Sequence, residues 1–189
     1  LVGSEMCIRD RFELGDPVAG EVQVKLVSSG LCHSDHHLRT GDSPAPMPVL
    51  GGHEGAGVVQ KVGPGVTRLK EGDHVVTAFI PACGVCDPCS RGDQNFCDEG
   101  ARLLTGLAIS DDTHRCHTSD GEGLTQMCLL GTFAPYITVN EASLVKIEDD
   151  IPLKEAALLG CGVATGWGSA VEIGGCLLYT SPSPRDRTR

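Results

Sequence analysis

Four cysteines, Cys83, Cys86, Cys89 and Cys97, are separated by two, two and seven intervening residues in the run CGVCDPCSRGDQNFC. Thiolates at such spacing can close a tetrahedron around Zn²⁺, leaving no position open for chemistry. The stretch that carries them, residues 82–98, has few apolar side chains, so a bound metal would supply much of its folding energy. Two other readings of these thiols stand beside that one. They are a pair of disulfides and an iron–sulfur cluster, although for the cluster the fourth Cys comes late and no Pro follows it. A second set of soft or borderline ligands is scattered along the chain: Cys32 in GLCHSD, His53 and Glu54 in GGHEGAG, and Cys161 in GCG. Two thiolates and one imidazole make the ligand set of a zinc that keeps its fourth position for water or substrate. Singly, each is an ordinary packed or polar residue. Their joint occurrence beside a four-cysteine cluster gives the set its meaning.

The elements that must position these residues are mostly short strands. Residues 21–28 (EVQVKLVS) alternate polar and apolar, the pattern of a half-buried strand. Residues 55–62 and 74–80 are β-branched runs bounded by glycine, and 136–139 and 143–147 read as two further short strands. Turns fall at Pro64-Gly65 and at Glu71-Gly72-Asp73. Residues 31–39 read as a loop leading into one or two helical turns, ended at Gly41. Residues 42–48, with three prolines, read as loop. The polar stretch 100–131 reads as a long surface loop with short local structure. Pro152 starts a helix through 159, and a second helix is expected from about Val163. Mainly β structure with short helices and no internal repeat predicts a compact β-barrel-like domain.

The chain has 189 residues, ten cysteines and a net charge of −10. It shows no secretory apolar run at its start, so ten cysteines read as metal-binding thiols of a reducing, cytoplasmic compartment rather than a disulfide framework. Net negative charge without a Lys/Arg cluster argues against nucleic acid or an anionic membrane as partner. The longest uncharged stretch, 156–171, is too short and glycine-rich to span a bilayer, which needs ~20 apolar residues. Both ends are set apart. Residues 176–186 (CLLYTSPSPRD) can be back-translated so that the opposite strand, in a shifted frame, encodes LVGSEMCIRD, which is residues 1–10. Residues 1–11 and 176–189 are therefore read as a library-preparation adapter flanking an insert, in preference to a natural terminal repeat, and are excluded from fold reasoning. The insert, 12–175, keeps eight cysteines and has a charge of −12.

The motifs GLCHSD, GHEGAGVVQKVG, GDHVV, CGVCDPCSRGDQNFC and GCGVATGWGSAV, in that order, resemble the zinc-dependent medium-chain alcohol dehydrogenases. The excursion ending in MCLLGTFAPYITV is most similar to the nicotinoprotein, or nitrosoaniline-dependent, branch. The resemblance implies a GroES-like β-barrel catalytic domain at 12–175 with its zinc lobe at 82–98. It implies a structural zinc on Cys83, Cys86, Cys89 and Cys97, and a catalytic zinc on Cys32, His53 and Cys161, with Glu54 as an occasional ligand. Asp35 would orient His53. Ser34 and His37 match the family's proton relay, and His33 stands where the family often has an Arg on the cofactor pyrophosphate. Thr165 matches a residue beside the nicotinamide ring. His36, His74, His114, His117, Cys116 and Cys128 receive no role.

The function implied is oxidation of a primary alcohol to an aldehyde by hydride transfer to NAD. The partner is a small alcohol or aldehyde, and the parent is a homo-oligomer. The dinucleotide fold of such an enzyme carries G-x-G-x-x-G after a strand, and no such segment occurs here. The chain is thus expected to be the front half of a dehydrogenase, inactive by itself, with the Rossmann domain missing. The alternatives are a fragment of a thiol-dependent formaldehyde dehydrogenase and a non-enzymatic zinc-binding module on the same fold.

Overall fold

A computed structural model describes residues 11–174. The adapter-like segments fall, but for Arg11, outside the described residues, as does Gly175. Among the described residues, nine strands form two sheets. The larger is antiparallel, with strand order β8–β2–β4–β5–β9, built from β2 (Glu21–Ser29), β4 (Gly55–Val62), β5 (His74–Thr77), β8 (Tyr136–Asn140) and β9 (Leu144–Lys146). The smaller runs β1–β6–β7–β3, from β1 (Phe12–Leu14), β3 (Val49–Leu50), β6 (Cys116–Thr118) and β7 (Gly123–Gln126), with β3 parallel to β7. The larger sheet curls into a half-barrel. Its register breaks twice along β2, between Gln23 and Val24 and between Leu26 and Ser28, and such bulges bend and twist a strand. One face of the sheet buries Val22, Val24, Val59, Val75, Ile137 and Val139 together with Leu69, Leu130 and Leu144.

Helices are few and short. α1 (His33–Thr40) makes two turns and ends at Gly41, whose left-handed φ of 82° lets its N–H reach Leu38 O. α2 (Asp87–Ser90) lies inside the cysteine lobe. Pro152 is the N-cap of α3 (Leu153–Ala156), which tightens into a 3₁₀ turn over Ala157–Gly160. α4 (Gly162–Gly168) follows after Cys161 and continues as a wider turn over Ser169–Ile173. No single described helix is long and apolar enough to cross a membrane. The pair Leu153–Gly160 and Gly162–Ile173 reaches that length and composition only together, bent by 53°.

Two expectations need correcting. The strand expected over 74–80 stops at Thr77, because its partner β9 begins opposite it at Leu144 and the chain then turns off toward the cysteine lobe. The stretch 100–131 is more than a surface loop. Its β6–β7 hairpin joins the smaller sheet, and Arg115, Cys116, Thr125, Gln126, Leu129 and Leu130 are buried. Its strands are three and four residues long and partly polar on their buried side, so neither alternation nor an apolar run announces them.

Candidate metal centres

Three turns of backbone bring the scattered ligands together. Cys32 is the N-cap of α1, His53 and Glu54 immediately precede β4, and Cys161 joins the 3₁₀ turn to α4. One ligand atom from each of Cys32, His53, Glu54 and Cys161 lies within 4.8 Å of the others. Asp35, buried in the first turn of α1, serves two of them. Its Oδ2 accepts from the Cys32 backbone N–H at 2.8 Å, and its Oδ1 lies 3.3 Å from His53 Nδ1. An ionised carboxylate there makes Nδ1 the protonated nitrogen and leaves the other ring nitrogen free to ligate. The His53 ring also stands edge-on to Phe79, with centroids 6.4 Å apart.

The electrostatics of the cluster fit a dication. Burial pushes the Cys32 thiol up, but hydrogen bonds from Ser34 and the neighbouring His53 outweigh it, and its pKa falls below the ordinary value. Burial disfavours a charged His53, yet Asp35 and then Cys32 raise its pKa overall. The Cys161 thiol is pushed up by burial, and repulsion from Cys32 and Glu54 adds to this. Beside Cys32 and Glu54 the Cys161 thiol thus resists ionisation, and a bound cation reverses that resistance. Glu54 is 2 % exposed; its Oε1 accepts from Gly162 N at 3.1 Å. Its Oε2 lies only 2.0 Å from where a Cβ on Gly30 would be, so glycine is needed there.

Of the other predicted site residues, Ser34 and Thr165 stand at the sulfurs. Ser34 Oγ is 3.7 Å from Cys32 Sγ, and Thr165 Oγ1 is 3.8 Å from Cys161 Sγ. His37 lies one turn beyond Ser34 on the same face of α1, its Nδ1 3.3 Å from Asp42 Oδ2. His33 is exposed, its ring edge-on to His37 at 4.6 Å. A pocket lined by Leu31, Cys32, His33, His36, Arg39 and Phe133 opens beside the cluster. Sequence reasoning missed the residues that hold the His53–Glu54 backbone: Ser29, Thr77 and Thr132. The paired glycines before His53 were the available signal. Gly52 has a φ of +90°, and a Cβ there would sit 2.6 Å from Thr132 Oγ1.

The cysteine lobe is the second centre. Its four sulfurs also lie within 4.8 Å of one another. The Cys83–Cys89 and Cys86–Cys97 sulfur pairs are each 3.9 Å apart. A tetrahedron with arms of ~2.3 Å has edges of ~3.8 Å, whereas a disulfide needs ~2.05 Å. All eight described cysteines are free, which removes the disulfide reading. Backbone N–H groups point at the sulfurs: Cys86 N donates to Cys83 Sγ and Cys83 N to Cys97 Sγ, both at 3.4 Å. The Cys83 thiol is lowered to about 7, chiefly by the Val85 backbone N–H. Cys116 and Cys128 are packed thiols, each pushed up by burial to about 12.

Known proteins share much of this chain's sequence and fold. Residues 18–149 match the family model described as the alcohol dehydrogenase GroES-like domain. The chain is 52% identical over 163 residues to alcohol dehydrogenase B of Mycobacterium tuberculosis, covering 86% of this chain and 43% of that protein. It is 48% identical over 176 residues to the NDMA-dependent alcohol dehydrogenase of Amycolatopsis methanolica, covering 90% and 47%. Among solved structures it is similar to an alcohol dehydrogenase zinc-binding domain protein from Burkholderia ambifaria, with TM-score 0.79, 36% identity, and 87% and 44% of the two chains covered. It is also similar to the benzyl alcohol dehydrogenase of Acinetobacter calcoaceticus, with TM-score 0.74, 34% identity, and 85% and 42% covered. The chain therefore spans less than half the length of the relatives it matches.

Proposed function

Because the chain belongs to the alcohol dehydrogenase GroES-like domain family, we propose that it is the catalytic, zinc-binding part of a dehydrogenase that oxidises primary alcohols to aldehydes with NAD as hydride acceptor. The observation that carries this reading is the convergence of Cys32, His53 and Cys161, with Glu54 beside them, at a place open to a pocket. Those residues would hold a catalytic zinc, and Cys83, Cys86, Cys89 and Cys97 a structural one. Bound zinc supplies Lewis acidity that makes an alcohol oxygen easier to deprotonate. The chain's own residues do the rest. Asp35 fixes the imidazole tautomer of His53 and the start of α1 at once. Ser34, beside the Cys32 sulfur, is assigned to pass on the alcohol proton, and His37, one turn further along α1 and partly exposed, to deliver it to solvent. Thr165 and His33 are assigned to the cofactor, beside the nicotinamide and the phosphates respectively.

The dinucleotide-binding part is assigned to the remainder of the parent, since no G-x-G-x-x-G occurs in this sequence. The likeness to an NDMA-dependent enzyme supports the nicotinoprotein branch. The proposal extends to a small alcohol or aldehyde as partner, a homo-oligomeric parent and a reducing, cytoplasmic setting; for the last, the eight free thiols are the support. Metal analysis is the test. The purified chain should carry two zinc ions and Cys32→Ala one; a single zinc in both would point instead to a binding module with only the cysteine lobe loaded. By itself the 189-residue chain should not reduce NAD in the presence of alcohol, and measurable turnover would overturn that division of labour.

A further inference from the structure

His53 and Glu54 are neighbours in sequence, and both aim at one point. They sit between Gly52, with its φ of +90°, and Gly55. A dipeptide between glycines has little of its own to fix its peptide planes, and a rotated plane swings the side chains attached to it. Two buried threonines supply the hold. Thr77 Oγ1 donates to His53 O at 3.1 Å and accepts from Gly55 N at 2.9 Å, bridging across the dipeptide from β5. Thr132 Oγ1 donates to Glu54 O at 3.1 Å. It also lies 2.9 Å from Ser29 Oγ, which itself donates to Glu54 O at 2.8 Å. Thr77 and Thr132 are each 1% exposed, so these hydroxyls have no water to satisfy them instead. Neither belongs to the group of converging ligand atoms. The glycines admit them: besides the Gly52 contact, a Cβ on Gly55 would come within 3.0 Å of Thr132 Cγ2.

We propose that Thr77 and Thr132 are positioning residues of the open metal centre, clamping the backbone carbonyls of His53 and Glu54 so that both side chains meet the sulfurs of Cys32 and Cys161. The inference rests on the metal-centre reading above and adds two residues to it. Valine has nearly the shape of threonine without the hydroxyl, so Thr77→Val and Thr132→Val remove the clamp and keep the packing.

The test is titration of the metal-free 189-residue chain with Co²⁺, followed by absorbance against a competing chelator, with Cys32→Ala marking the signal of the cysteine lobe alone. Each valine variant should bind cobalt at the open centre ten- to hundredfold more weakly, as loss of outer hydrogen-bond partners does. The lobe should be unchanged, and Thr132→Ser should restore wild-type affinity. Ser29→Ala, at an exposed strand end, is the milder variant should the buried ones fail to fold, and should weaken the same centre alone. Wild-type affinity at the open centre in all three hydroxyl-removing variants would overturn the inference. So would equal weakening at the lobe, which would mark a general role in the fold. If wild type itself takes up one cobalt, as Cys32→Ala does, the metal-centre reading falls and this inference with it.

Discussion

Asp35 contacts two candidate ligands with one carboxylate, so the chemical difference between Asp and Asn there is large although the shapes match. An amide can offer its oxygen to Cys32 N–H, but its NH₂ then faces His53 Nδ1. That forces the ring proton onto the nitrogen needed for the metal. Asp35→Asn should therefore leave the fold intact and weaken zinc at the open centre by ten- to hundredfold, without change at the cysteine lobe, as competition with a chelator would measure. Gly30→Ala acts by bulk instead. Its Cβ would sit 2.0 Å from Glu54 Oε2 and 3.0 Å from Glu54 Cβ, with the carboxylate already tied to Gly162 N. Glu54 must be displaced, and zinc at the open centre should be held more weakly against a chelator while the cysteine lobe keeps its own. At this scale the candidate ligands were legible because Cys and His announce their chemistry. Thr77 and Thr132 were not, because a threonine hydroxyl clamping a carbonyl is written in the same letter as any surface threonine.

Elements built on alternation or β-branched runs, such as β2, β4 and β8, could be read from the sequence. The β6–β7 hairpin could not, because what anchors it is an ion pair across 94 residues. Arg115 Nε donates to Glu21 Oε2 at 2.7 Å, and the same guanidinium reaches Ser110 Oγ at 3.0 Å and Asp111 Oδ2 at 2.9 Å. Glu21 is 0% exposed and Arg115 6%, so removing one partner strands a charge in the interior. Arg115→Ala should cost ~3–5 kcal/mol in urea unfolding. The double replacement of Glu21 and Arg115 by apolar residues should cost less than the single one, because no unpaired charge is left. A second pair, Lys146 Nζ to Asp73 Oδ1 at 2.7 Å, ties β9 to the start of β5. Lys146 and, less strongly, the Lys70 backbone N–H hold the Asp73 carboxyl below its ordinary value. A depressed acid stabilises the fold above its unfolded pKa of ~3.9, and that contribution is lost as pH falls through the lower folded value. Lys146→Met should therefore be less stable than wild type at neutral pH, and the difference should vanish in acid, measured by urea unfolding along a pH series.

The whole molecule divides into a part with a core and a part without one. The half-barrel closes over Val22, Val24, Val59, Val75 and Ile137, all at most 1% exposed. In the cysteine lobe the apolar side chains point outward, Val85 at 85% and Phe96 at 71% exposed, and the buried ones are the candidate ligands Cys89 and Cys97. Sequence composition already showed that imbalance, and the expectation that metal supplies the lobe's folding energy follows from it. The exposure of Val163 and Trp167 along α4, 48% and 58%, was not, because a helical pattern does not say which face will find a partner. The lobe joins the barrel where Ala82 N donates to Ala142 O at 2.8 Å. Arg68 Nη1 also donates to Ala82 O at 3.4 Å; these ties lie at the edge of the lobe rather than within it, so losing the metal should unfold the lobe without propagating into the sheet. After treatment with a strong chelator, amides of residues 83–100 should exchange hydrogen at unprotected rates, while those of β2 and β4 keep the protection of the untreated protein. Protection that survives in the lobe would mean that its fold does not depend on metal. Simultaneous loss in β2 and β4 would mean that the barrel depends on the lobe after all.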